Sequence, residues 1–326
     1  MLGLAIGDAL AYPCEFRSRA TILAAFGPAG VTDMVALHDP RWPERPFILG
    51  RRHPAGTYTD DTQMTIAVAE ALIEAAPGPA AGATDVDVDV EAMMQAMAAR
   101  FVAWSRAEDN DRAPGHTSMT GCERLADGVP WREAGVADSK GCGSAMRVAP
   151  IGLRFHRHHG QLLEVARASC LLTHGHDAAL EGAAAAALLV ALSLERASPE
   201  EMYRAVAEAC CPRSADFAAC WAKLPALLDA PPEVALSEAG LGEGWVAEEA
   251  VASALYCVWR TPDDVRQTIL TAANTDGDSD SIACIAGGIS GARNGVEAIP
   301  VAWRETVENA ARLVEIADAL RAASGD

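Results

Sequence analysis

Apolar residues recur at three- and four-residue spacing along most of the chain, with strong helix formers between them. This pattern predicts amphipathic helices at Met64–Ala76, Val90–Ala107, Gln161–Leu172, Ala179–Ala197, Glu200–Cys211, Glu248–Arg260, Asp263–Asn274 and Ala302–Ala323. Convincing period-two strands are absent, so the fold class expected is all-α, with helices packed across one another. The longest purely apolar run, AAAAALLVAL from Ala183 to Leu192, is too short to span a bilayer and predicts a buried core helix. Clusters of Gly, Pro and Asp break the pattern at HDPRWPERPF (38–47), APGPAAGATD (76–85), DNDRAPGHT (109–117) and DAPPEV (229–234). None has the character of a flexible linker, and no repeat of roughly 20–50 residues is visible. The expectation is one compact domain over residues 1–326, with 38–58 its most loop-like segment.

Composition narrows the function. Half of the 326 residues are hydrophobic, enough for a large core. The formal net charge of −19 disfavours a stable nucleic-acid complex or attachment to an anionic membrane, both of which are driven by Lys and Arg. Nine cysteines (Cys14, Cys122, Cys142, Cys170, Cys210, Cys211, Cys220, Cys257 and Cys284) are scattered without a C-x-x-C pair, which fits reduced thiols in a cytoplasm. The N-terminal MLGLAIGDALAYPCEF lacks a basic start and is interrupted by Asp8, so it makes a poor signal peptide. With few aromatic residues, a monomer is expected.

Two acidic clusters stand directly before apolar helical segments. In YTDDTQMTIAVAEAL, Thr59, Asp60, Asp61 and Thr62 open the first; in GDSDSIACIAGGISGA, Asp278, Ser279, Asp280 and Ser281 open the second. Helix capping is the plain explanation of either one: Thr59 or Asp60 accepts from free backbone N–H groups, and Gln63 completes a capping box with Asp60. Capping requires one oxygen, and each cluster supplies several. Brought together, the two would accumulate about four negative charges, which need a counter-ion such as Mg²⁺ or Mn²⁺. The residues alone therefore point to a metal site and leave its chemistry open.

Five blocks in order, GLAIGDALAYPCEF, YTDDTQMT, KGCGSAMRVAPIGL, LLTHGHDAAL and GDSDSIACIAGGISGA, resemble the signature of the ADP-ribosylglycohydrolase family and run from residue 3 to about 294. The resemblance implies an all-α fold and two Mg²⁺ or Mn²⁺ ions held by Thr59, Asp60, Asp61, Asp278, Asp280 and Ser281. Ser281 stands where many members have threonine. It also implies catalytic roles for Glu15, which matches a glutamate near the scissile bond, and for Asp60 and Asp61. Gly141, Gly143, Ser144 and Met146 match the loop that cradles ADP-ribose, where backbone N–H groups can meet phosphate oxygens. His174 matches a position facing the ligand, and Gly115 and Thr117 match a substrate-side loop. The chain departs from the pattern at Ala11, at Cys142 (often asparagine), and in a first block that begins almost at Met1, which predicts a short first helix.

Other candidates read as structure. His176 is expected to shape its own turn, His156, His158 and His159 to lie in a solvated loop, and Phe101 and Trp104 to face the core. Asp109 or Asp111 could supply a proton, although loop solvation accounts for both. The reaction implied is metal-assisted hydrolysis of the bond between ADP-ribose and an acceptor, protein-linked or not, with a carboxylate handling the proton. Two alternatives remain open: a two-metal phosphoester hydrolase releasing AMP, and an ADP-ribose-binding protein without turnover. The acceptor side falls on residues 38–58 and 106–118, and the sequence leaves the acceptor open.

Overall fold

The structure is a computed structural model, described here for residues 1–43, 52–75 and 89–324. Helices longer than one turn are α1 (Leu2–Ala11), α2 (Arg19–Phe26), α3 (Asp60–Glu74), α4 (Val90–Ser105), α5 (His116–Ala126), α6 (Ala149–Arg154), α7 (His159–Leu171), α8 (Asp177–Leu194), α9 (Pro199–Cys210), α10 (Ala215–Trp221), α11 (Ala247–Arg260), α12 (Val265–Ala273), α13 (Ser279–Asn294), α14 (Val301–Thr306) and α15 (Ala310–Ala323). Among the described residues there is no β-strand, just isolated bridges at Val136–His174 and Gly141–Val246. The all-α expectation holds. The expected break at 76–85 and part of the 38–58 loop (residues 44–51) lie outside the described residues; the described parts of that loop contain no helix.

Helix α8 runs through the centre. It is long and apolar enough to cross a membrane by length and composition, yet most of it is buried within the fold. It packs against α6, α7, α9, α11 and α13. Its alanines explain the arrangement: a helix with small side chains lets several neighbours approach at once, and close packing then supplies dispersion contacts on every side. All nine cysteines are free thiols, and all except Cys211 are buried.

The most intimate contact joins α1 to α13. A Cβ placed on Gly3 would stand 2.3 Å from the carbonyl oxygen of Gly287, and one on Gly7 would stand 2.0 Å from that of Ala283. Backbone thus meets backbone, which any side chain would prevent. At ten residues α1 is a helix of nearly three turns, and its C-terminal end leads through the turn Tyr12–Cys14 to Glu15. The contact therefore fixes Glu15 relative to the N-terminus of α13.

One expected helix is two. The pattern at Ala302–Ala323 predicts a continuous helix, but the chain breaks at Val307–Asn309, with Asn309 in the left-handed region at φ 55°. The break has a tertiary cause. Glu308 N donates to Gly56 O (3.0 Å), the Glu308 carboxylate accepts from Tyr58 N (3.0 Å), and Asn309 Nδ2 donates to the Tyr58 hydroxyl (2.9 Å). These bonds hold the strand of chain that delivers Thr59 to the start of α3. Asn tolerates the left-handed conformation that a helical periodicity count ignores.

Because Gly7 meets backbone rather than a flexible side chain, Gly7→Ala is expected to cost about 3 kcal/mol or more. Gly160→Ala, at an exposed position in the first turn of helix α7 where an added Cβ meets nothing within 4 Å, should instead be neutral or stabilising by about 0.5–1 kcal/mol. Urea-unfolding midpoints of the two variants check this; equal midpoints would contradict the close α1–α13 contact.

Candidate active site

Three helix-linked segments bring their acidic residues to one cavity of about 500 Å³. Its lining includes Glu15 after α1, Asp60 and Asp61 in the first turn of α3, and Asp278, Asp280 and Ser281 at the start of α13. Gly115, Thr117, Gly141, Gly143, Met146 and His174 line it as well, so most of the residues singled out in the sequence meet in one place. Two do not line the cavity. Ser144 is buried and its hydroxyl donates to Ala179 O on α8 (3.3 Å). Thr59 lies one layer below, its hydroxyl donating to Asp8 Oδ1 (2.9 Å).

The local chemistry at the start of α3 differs from simple capping. Thr59 is the N-cap, with Asp61 N donating to its Oγ1 at 3.3 Å. Gln63 makes no capping box with Asp60; its amide donates to Asp109 (3.1 and 3.2 Å) and accepts from Trp104 Nε1 (3.0 Å). The reason is that Asp60 looks across the cavity, where Oδ2 accepts from Gly115 N at 3.1 Å. At α13 the N-cap is Asp278, whose Oδ1 accepts from Ser281 N at 3.3 Å. Its other oxygen, Oδ2, accepts from the Cys142 thiol at 2.9 Å.

Beneath both clusters sits Asp8, fully buried on α1. Its carboxylate accepts four hydrogen bonds, from Thr59 N, Thr59 Oγ1, Thr62 N and Thr62 Oγ1, at 2.6 to 3.1 Å. It thereby satisfies free donors at the N-terminus of α3 and ties that helix to α1. In the sequence Asp8 stands out merely as the charge that interrupts an apolar N-terminal segment. A signal was present, because an aspartate inside an apolar helix must find partners or pay heavily for burial.

Burial dominates the electrostatics. It raises the carboxyl of Asp60 to about 8, against the pull of the Gly115 hydrogen bond. Asp8, equally buried, rises to about 6, because the threonine hydroxyls and N–H groups draw it back. Glu15, Asp61 and Asp280 are pushed well above the usual carboxylate range by burial and then by the charge of neighbouring carboxylates, Asp278 and Asp8 among them. Glu15 Oε2, Asp61 Oδ1 and Asp280 Oδ1 are buried without a hydrogen-bond partner. Glu15, Asp278 and Asp280 each offer a carboxylate oxygen within 4.8 Å of the others. None of the described residues lining the cavity is Lys or Arg. Hard oxygen donors, orphaned oxygens and no internal cation fit a divalent metal such as Mg²⁺ or Mn²⁺.

The Gly-rich loop is supported from below. Arg147, fully buried, donates to Gly143 O (3.0 Å), Ser169 O (3.1 Å) and Thr173 Oγ1 (2.8 Å), and its guanidinium lies 4.5 Å over the Phe101 ring. Thr173 in turn is 2.7 Å from His174 Nδ1. Burial, with help from the Arg147 charge, lowers His174 to about 3, so its ring is neutral where it lines the cavity. A Cβ on Gly143 would stand 3.0 Å from His174 Cε1, which leaves the loop little room for anything larger. Its edge is bonded to the segment before α11, through Cys142 N to Trp245 O (3.3 Å) and Ala247 N to Lys140 O (2.8 Å).

Several lining residues have no sequence signal. Phe16 and Trp245 stand at the mouth, 53% and 40% exposed, with ring centroids 5.3 Å apart and planes at 26°. They come from segments more than 200 residues apart, so no spacing connects them. His116 also reaches the lining, and so does Asp111, which the sequence singles out as a candidate proton donor. Asp109 stays largely exposed, as its loop position suggests. His176 accepts from Ala178 N (3.1 Å) and caps α8. His156, His158 and His159 lie outside the cavity.

The ADP-ribosylglycohydrolase family model matches residues 1–326. The ADP-ribosylarginine hydrolase Tri1 of Pseudomonas putida is 27% identical, over 98% of this chain and 76% of its own. The mouse ADP-ribosylhydrolase ARH3 is 31% identical, over 77% of this chain and 73% of its own. A solved structure described as an ADP-ribosylglycohydrolase-related protein complex superposes with a TM-score of 0.74 at 26% identity, covering 99% of this chain and 95% of that one.

A carboxyl whose pKa is higher folded than unfolded binds its proton more tightly when folded, so its ionisation weakens the fold. Asp8 and Asp60, raised from 3.8 to about 6 and about 8, should therefore make the metal-free protein progressively less stable as pH rises from about 4 to about 8. Urea midpoints in chelator across that range measure the slope. Mg²⁺ or Mn²⁺ should flatten it, as should Asp60→Asn; a midpoint that rises with pH in chelator would contradict the buried, uncompensated cluster.

Proposed function

The chain belongs to the ADP-ribosylglycohydrolase family and acts as a hydrolase on ADP-ribose linkages, and from that premise we propose that it cleaves the glycosidic bond between ADP-ribose and an acceptor in a metal-dependent reaction. The observation that carries this reading is the convergence of five buried carboxylates, Glu15, Asp60, Asp61, Asp278 and Asp280, on a cavity with no Lys or Arg among its described lining residues. Asp60, Asp61, Asp278 and Asp280, with the hydroxyl of Ser281, are the residues that would hold two Mg²⁺ or Mn²⁺ ions. Thr59 would join them through a lone pair: its hydroxyl donates to Asp8 Oδ1 (2.9 Å) and, less closely, to Asp61 Oδ2 (3.3 Å). Bound there, the cations supply neutralising charge and Lewis acidity toward sugar hydroxyls and a water.

The chain's own groups do the rest. Glu15, raised by burial and with Oε2 free of a partner, is placed to accept or return the proton as the bond to the anomeric carbon breaks. Ionised carboxylates around the sugar favour the positive charge that develops in an oxocarbenium-like transition state. Gly141 and Gly143 present backbone to the phosphates, and neutral His174 fills the space behind them without adding charge. At the mouth, Phe16 and Trp245 offer faces on which a planar cation stacks, amid excess negative charge. An arginine-linked acceptor suits that chemistry best, and the similarity to a bacterial ADP-ribosylarginine hydrolase along nearly the whole chain supports the choice.

The test is release of product from ADP-ribosylated arginine, serine and nucleic-acid substrates with Mg²⁺ or Mn²⁺, separating ADP-ribose from AMP. Free ADP-ribose from the arginine substrate, lost on chelation, is expected. Glu15→Gln should lower turnover by about 10²–10⁴, and Asp278→Asn or Asp280→Asn should abolish metal-dependent turnover while helical circular dichroism is kept. AMP as product would select the phosphoester reaction instead, and full activity in both aspartate variants would overturn the account.

A further inference from the structure

Cys142 is the one cysteine among the described residues lining the cavity, and its sulfur is placed among hard oxygen donors. Sγ lies 2.9 Å from Asp278 Oδ2 and 3.6 Å from Ser281 Oγ. Two further carboxylate oxygens of the same cavity, Asp61 Oδ1 and Asp280 Oδ1, are buried with no partner, which leaves this cavity with donors free for a cation. The loop cannot easily withdraw the sulfur: Cys142 N is bonded to Trp245 O, and Arg147 holds Gly143 O from beneath. Metal–sulfur and metal–oxygen bonds of about 2.3 Å and about 2.0–2.2 Å sum to more than the 2.9 Å between Sγ and Oδ2, so a single ion can touch both.

We infer that Cys142 turns the Asp278 side of this site into a mixed sulfur–oxygen position that takes a thiophilic divalent cation, Zn²⁺ or Cd²⁺, in preference to Mg²⁺. The inference rests on the metal-site reading above and adds a selectivity to it. Thiolate ligands select soft and borderline ions, whereas carboxylate and hydroxyl sets suit hard ones. Binding replaces the S–H bond by a sulfur–metal bond, with the proton passing to the buffer and no change of oxidation state. The thiol now donating to Asp278 Oδ2 and that oxygen become neighbouring ligands of one ion.

Cd²⁺ titrated into the purified full chain reports sulfur ligation directly, through the ultraviolet sulfur-to-cadmium charge-transfer band, with Zn²⁺ and Mg²⁺ affinities measured by calorimetry. The wild type should show the band at one equivalent. Cys142→Ser should lose it and weaken Zn²⁺ binding by about tenfold or more, while Mg²⁺ binding changes far less. Cys142→Asn, which restores the residue common at this position in the family pattern, should behave as the serine variant does. Absence of the band in the wild type, its persistence in both variants, or unchanged Zn²⁺ affinity would overturn the assignment. ADP-ribose release with Mg²⁺ or Mn²⁺ is measured in parallel: a band without hydrolysis would sink the proposed function and leave this metal position standing, and hydrolysis without a band would do the reverse.

Discussion

Six carboxylates, Asp8, Glu15, Asp60, Asp61, Asp278 and Asp280, are buried in one region whose cavity, among the described residues, is lined by neither Lys nor Arg. Burying that much like charge opposes folding unless protons, hydrogen bonds or cations compensate it. The architecture around the site reads as a set of partial compensations. Asp60, Asp61 and Asp280 stand in first helical turns and Asp278 caps one, so each meets the positive end of a helix. Asp8 takes four hydrogen bonds and is correspondingly the less perturbed of two equally buried groups. What is left over, three orphaned oxygens facing a cavity, is the capacity the site keeps for cations and substrate.

Holding these groups in place requires rigid supports from distant parts of the chain. The glycine contacts of α1 with α13 set the spacing between Glu15 and the Asp278–Ser281 turn. Asp8 sets the spacing between α1 and α3. Glu308 and Asn309, at the break before α15, hold the chain just before Thr59. On the far wall Arg147 serves the same purpose for the Gly-rich loop, and its own burial, which lowers it to about 10, is offset by three hydrogen bonds and the Phe101 ring. The site thus has short connections to all of its walls, which suits a reaction that depends on placing a sugar carbon to within a fraction of an ångström.

The departures from the family pattern bear unequally on this design. Ala11 is buried at the end of α1, its carbonyl 3.5 Å from the Ser279 hydroxyl, and the backbone path to Glu15 is kept. Cys142 lies against Asp278 on the acidic face of the cavity, so the change from an amide to a thiol alters the donor set there rather than a remote contact. Ser281, by contrast, keeps the hydroxyl of the threonine common at its position and lines the cavity as expected.

Helical periodicity determined the all-α fold and most helix positions, because amphipathic spacing is a local property written in consecutive residues. The acidic clusters at Thr59–Thr62 and Asp278–Ser281 were legible for a similar reason: their surplus of carboxylates exceeds what a helix start requires. Tertiary structure alone decided where these pieces meet. It split Ala302–Ala323 at Asn309 to bond the chain near Tyr58, turned Gln63 away from a capping box toward Trp104 and Asp109, and gave Asp8 its four partners. It also stacked Phe16 on Trp245 and set Cys142 against Asp278. Each of these pairs couples residues tens to hundreds of positions apart, and their proximity follows from how helices pack, which no local spacing encodes.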